Sequence, residues 1–107
     1  MRRGDLLTIA LQGDLGKPRP ALVIQSELFD AHSSVAVLPL TSRLLQALLF
    51  RITVHPSAEN GLRDVSQVMV DKPSSVMRER LGPVFGHADE DTMLAVNRAL
   101  AVFLGLA

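Results

Sequence analysis

The chain has 107 residues, no cysteine, and equal basic and acidic counts of 11 each. It therefore has no disulfide framework or thiolate zinc site, and it lacks the basic excess of a general nucleic-acid coat protein. The length and the absence of internal repeats predict a single domain over 1–107, with 48% apolar residues to build one core. No apolar run reaches the roughly 18 residues needed to cross a bilayer. Leu6 to Leu11 is too short for a signal core, so a cytoplasmic protein with no membrane partner is expected.

In chain order, Leu6 to Leu11 reads as a first strand, followed by the polar loop from Gln12 to Lys17. Arg19 stands between Pro18 and Pro20, which hold the backbone extended before the apolar run Ala21-Leu22-Val23-Ile24. Pro20 to Gln25 is the second strand and Ser34 to Leu40 the third, with one helical turn capped by Ser26 between them. Phe50 to His55 alternates apolar and polar residues, the period of a half-buried strand. Pro56 to Gly61 is a turn, Val65 to Asp71 a strand stopped by Pro73, and Pro83 to Gly86 a short last strand. Asp89 caps a terminal helix whose Met93, Val96, Leu100, Phe103 and Leu104 recur at helical spacing until Gly105 closes it. Short strands followed by one helix predict a mainly β fold, a small curved barrel with the helix packed on it or at a dimer seam.

Residues 1–53 carry 6 basic and 4 acidic groups and 54–107 carry 5 and 7, so positive charge gathers around Arg2, Arg3, Lys17, Arg19 and Arg43. With no Trp or Tyr and four Phe, base stacking is limited, and an RNA grip must lean on phosphates and base edges. Arg19 before one strand and Thr41-Ser42 after another place a fixed cation and hydroxyls on rigid strand ends, which suits binding and reacting a phosphodiester. The other motifs fail. Gly13-Asp14-Leu15-Gly16-Lys17-Pro18 has the wrong glycine spacing for a phosphate loop, and His32, His55 and His87 lack metal-ligand spacing. No metal or cofactor is expected.

These segments together resemble the MazF/PemK family of toxin endoribonucleases. The likeness runs through Arg3-Gly4-Asp5, Arg19-Pro20, Pro39-Leu40-Thr41-Ser42, Asn60-Gly61-Leu62, Gln67-Val68, Asp71-Lys72 and Arg80-Leu81 to the closing helix. It implies an SH3-like β-barrel (MazF/CcdB-like), a homodimer, and metal-independent cleavage of single-stranded RNA to a 2′,3′-cyclic phosphate. It also implies a cognate antitoxin with an acidic tail. Arg19 and Thr41 would be catalytic, with Lys17, Ser42, Ser66, Gln67, Asp71 and Lys72 binding substrate. Ser66 replaces the family's usual acid, and Met69 stands where a basic residue is common. Two other readings stay open: a CcdB-like gyrase inhibitor, disfavoured by the absence of Trp, and a catalytically silent barrel that binds an antitoxin.

Overall fold

The computed structural model describes residues 1–10, 17–47 and 49–107. Among the described residues, seven strands form one antiparallel sheet: β1 Asp5–Ile9, β2 Arg19–Val23, β3 Ser34–Thr41, β4 Arg51–Val54, β5 Ser66–Met69, β6 Ser74–Met77 and β7 Leu81–His87. The helix α1, Glu90–Phe103, follows. The spatial order is β4-β5-β3-β2-β1-β7, with β6 also on β3. Among the described residues the sheet does not close on itself, but its curvature is that of a barrel-like fold. The expected end of the first strand at Leu11 and the loop of residues 12–16 lie outside the described residues.

The long strand β3 makes the curl. On one edge it pairs with β2 through Val37–Pro39. Its other edge is shared, Ser34–Val37 with β6 and Leu40–Thr41 with β5. Leu38 and Pro39 fall between those two ladders, where a proline's missing N–H is tolerated. The sequence reading missed β6. Pro73 reads as a stop, whereas it precedes a strand that pairs with β3 despite two consecutive serines.

The central strands are apolar without alternation because both of their faces are buried. Leu6, Leu22, Leu38, Leu40 and Val68 pack with Val96, Ala99 and Leu100 of α1, while Leu7, Ile9, Ala21, Val23, Val35, Val37 and Val76 form the core of the opposite face. The helix begins as expected, with the Asp89 carboxylate accepting from the Thr92 amide at 2.8 Å. Its exposed cap carboxyl sits below its ordinary value because of that contact. Its apolar stripe stops short of the expectation: Phe103 and Leu104 are 47% and 55% exposed. Gly105, at φ +74°, ends it in the left-handed region.

Arg3-Gly4-Asp5 starts the first strand. Arg3 ties two elements together, donating from Nε to the Ile24 carbonyl at 2.9 Å and from Nη2 to Asn97 at 2.6 Å. The buried Asp5 carboxylate accepts from the Arg2 amide at 2.7 Å and meets Nδ1 of His87 at 2.9 Å. Among the described residues no helix is long and apolar enough to cross a membrane.

Candidate functional site

Arg19 opens β2 and Thr41 closes β3. The β2–β3 ladder ends where Ala21 pairs with Pro39, and Arg19 and Thr41, each two residues beyond it, line the same groove. Thr41 pairs in turn with Gln67, where the β3–β5 ladder ends, and Ser42 and Ser66 follow just beyond it. The ends of β2, β3 and β5 thus open onto one groove of about 690 Å³, lined by Arg19, Thr41, Ser42 and Ser66 together with Thr8, Leu62, Arg63, Asp64 and Phe85.

The hydroxyls are differently committed. Thr41 Oγ1 accepts from the Arg43 amide at 3.1 Å, which fixes the oxygen and leaves its hydrogen available to donate. Ser66 is buried and donates to the Asp64 carbonyl at 2.9 Å, so its donor is spent and its lone pairs remain. Ser42 is exposed at the rim. Pro18 and Pro20 line the groove on either side of Arg19 and restrict its backbone.

Four other expected residues are not in the groove wall. Lys17 is exposed beside Pro18 but does not line the cavity. Gln67 is buried and faces away: its Oε1 accepts from the Leu45 amide at 3.0 Å, and its Nε2 donates to the Leu45 carbonyl at 2.9 Å. A longer contact of 3.3 Å reaches Thr53 Oγ1. The side chain thereby clamps the segment that follows Thr41 and lines a separate cavity with Leu44, Leu49 and Arg51. Asp71 pairs with the buried Arg51, Nε to Oδ1 at 3.5 Å. Lys72 is exposed in the turn after β5.

Arg63, Asp64 and Phe85 line the groove although the sequence did not mark them as site residues. Arg63 and Asp64 arrive on a turn that a buried Asn60 holds. Its Oδ1 accepts from the amides of Ser57 and Leu62, each at 3.0 Å, and its Nδ2 donates to the His55 carbonyl at 2.9 Å. The Asn60-Gly61 pair was the available signal. Gly61 takes φ +67°, and a Cβ there would meet the Phe85 carbonyl oxygen at 2.8 Å. Phe85 lies on β7, where Leu6 pairs with Gly86 but Leu7 with Val84, so Phe85 is the extra residue of a β-bulge.

A family model described as PemK-like, MazF-like toxin of type II toxin-antitoxin system matches residues 2–104. The chain is 46% identical over 108 residues to a probable endoribonuclease MazF of Mycolicibacterium smegmatis, covering 100% of this chain and 99% of the relative. The fold matches an endoribonuclease from a mycobacterial species, solved in complex with its cognate antitoxin, with TM-score 0.84 at 24% identity over 100% of this chain and 97% of that one. It also matches a MazE–MazF crystal structure from Deinococcus radiodurans, with TM-score 0.77 at 26% identity over 98% and 96% of the two chains. A match over nearly the whole length, with Arg19 and Thr41 facing one groove, makes this chain a member of the PemK-like, MazF-like toxins of type II toxin-antitoxin systems.

Proposed function

We propose that this chain is a toxin endoribonuclease that acts in the cytoplasm and cleaves single-stranded RNA in the groove at the ends of β2, β3 and β5. The observation that supports the reading is that Arg19 and Thr41, on the ends of β2 and β3, both line one groove. The 2′-OH of the substrate attacks the adjacent phosphorus as it loses its proton. The bond from phosphorus to the 5′ oxygen breaks, and that oxygen takes up a proton. The products are a 2′,3′-cyclic phosphate and a 5′-OH. Negative charge grows on the nonbridging oxygens, where a guanidinium fork remains charged throughout and stabilises it. The Thr41 hydroxyl, already oriented by the Arg43 amide, donates to the same phosphate or to the attacking oxygen.

Ser42 and the Ser66 lone pairs line the path of the strand, and Lys17 adds positive charge beside it. Gln67 and Asp71 serve the frame around this site rather than the RNA, and Lys72 contributes exposed charge. The family and the cation-bearing groove support a cognate antitoxin as partner, with an acidic segment competing for the same surface. The exposed Val102, Phe103 and Leu104 at the end of α1 support a homodimer.

The test is incubation of purified, antitoxin-free protein with mixed-sequence RNA in EDTA, beside Arg19→Ala and Thr41→Ala. Discrete cleavage ending in cyclic phosphates, reduced at least a hundredfold in both variants, is expected. A folded wild type that leaves RNA intact overturns the reading.

A further inference from the structure

The reacting pair occupies one part of the groove, and Arg63 and Phe85 occupy wall that the reaction does not use. A cavity of about 690 Å³ lies in the upper half of the ~300–1,000 Å³ range that holds a whole small ligand, so there is room beyond the reacting phosphate. Phe85 is 38% exposed and is the one phenylalanine of four among the groove-lining residues. Its place as the extra residue of a bulge turns an apolar ring out of a regular ladder, and bulges commonly re-aim a side chain in this way. Gly61 lets the neighbouring turn lie against it, since a Cβ there would stand 3.1 Å from Cδ1 of the ring. The same turn delivers Arg63, which is exposed and has no ion pair among the described residues. Asp64 is the only carboxylate among the described lining residues, against the two guanidinium groups of Arg19 and Arg63.

An exposed phenylalanine alone is ordinary surface. An exposed ring and a second guanidinium on one locked turn-and-bulge, in a groove whose other end reacts a phosphodiester, have the two chemistries of a nucleotide: a π face and an anion. We propose that Phe85 and Arg63 form a flanking-nucleotide subsite, the ring stacking on one base and the guanidinium contacting one phosphate of the bound RNA. The subsite rests on the ribonuclease reading and extends it from the cleaved bond to its neighbour. Stacking tolerates any base, so Phe85 contributes affinity, and base choice falls to edge contacts elsewhere.

The test measures binding of the full chain to a fluorescent, mixed-sequence 2′-O-methyl RNA, which resists cleavage, across a salt series. Phe85→Leu is expected to weaken binding on the order of tenfold at every salt concentration without changing the slope, and Phe85→Tyr to restore it. Arg63→Gln is expected to flatten the log–log salt slope by about 0.7, the share of one phosphate. An oligomer of abasic nucleotides offers the ring no base. It should bind the wild type on the order of tenfold more weakly and be indifferent to Phe85→Leu. The subsite is overturned if wild type binds and cleaves RNA while Phe85→Leu binds like wild type, if Phe85→Leu weakens the abasic strand equally, or if Arg63→Gln keeps the full slope. A wild type that binds no RNA overturns the ribonuclease reading itself.

Discussion

Asn60 sets the shape of the turn that carries Arg63 into the groove, and Asn60→Ala measures that role. The residue is 5% exposed, and its side chain makes three hydrogen bonds to main-chain groups of Ser57, Leu62 and His55. An alanine leaves two N–H donors and one carbonyl without those partners. At about 1 kcal/mol net for each bond, the loss is about 3 kcal/mol, rising where a stranded group stays out of water. For a domain of this size that lowers the melting temperature by roughly 10–20 °C. Ser57→Ala is the internal scale: its hydroxyl accepts only the Asn60 amide, at 3.0 Å, so it should cost about 1 kcal/mol. Urea unfolding of the three proteins gives the ordering. RNA cleavage at a temperature where Asn60→Ala remains folded should show a raised KM, because Leu62 and Arg63 lose their fixed approach. A loss below about 1 kcal/mol in Asn60→Ala, or one smaller than that of Ser57→Ala, would refute the argument that the side chain holds the turn.

Three further outcomes are expected. Gly86→Ala places a Cβ 2.0 Å from the Asn60 carbonyl oxygen, a backbone atom that cannot swing aside, so unfolding should shift by at least the ~1–3 kcal/mol typical of overpacking. An unchanged denaturation midpoint would contradict that packing. Gln67→Ala frees the segment after Thr41 by removing both bonds to Leu45, so limited proteolysis should cut within residues 42–47 well before wild type, and kcat should fall more than KM rises. Equal protease resistance would show the clamp to be dispensable. Burial pushes the Asp5 carboxyl up, but the Arg2 amide, the His87 hydrogen bond and charge, and the N-terminal charge outweigh it and hold the group below its ordinary 3.8. A carboxyl depressed in the folded state stabilises above 3.8 and loses that contribution as pH falls through and below it. Thermal melts in acid should therefore decline less steeply for Asp5→Asn than for wild type, and parallel declines would remove Asp5 from the account.

Much of the fold was legible because its signals are local. Asp89 and Ser26 announce their caps, and the two prolines around Arg19 fix an extended entry to β2. The unbroken apolar runs of β2 and β3 state that both faces are covered. The missed strand β6 shows the limit: Ser74-Ser75 carries little strand propensity, and only the open edge of β3 pairs it. The site divides in the same way. Arg19 and Thr41 were legible as residues with suitable chemistry, but their meeting in one groove depends on strand pairing that the sequence does not display. Ser66 and Gln67 were expected to reach substrate together, yet the Gln67 amide is held by the Leu45 main chain. Ser66 lines the groove, while Gln67 turns to Leu45. The pairing of Asp71 with Arg51, twenty positions earlier in the chain, has no local mark at all.

The division between regular and irregular backbone also divides the labour in the groove. Arg19 and Thr41 lie just beyond a ladder that runs from Val23 with Val37 to Ala21 with Pro39, so regular backbone holds the strand ends that carry them. That rigidity suits a transition state, where a small misplacement costs far more in rate than in binding. Arg63 and Phe85 stand on a turn and a bulge, backbone that can vary in sequence without disturbing the ladder. Net charge adds a second constraint. With 11 basic and 11 acidic groups the chain has no net charge to draw RNA in, so affinity rests mainly on contacts made after encounter. If two guanidinium groups each neutralise one phosphate, the total salt slope is about −1.4. So shallow a dependence leaves stacking and hydroxyl contacts to supply the remaining affinity, and the ring of Phe85 is the stacking surface that the described groove provides.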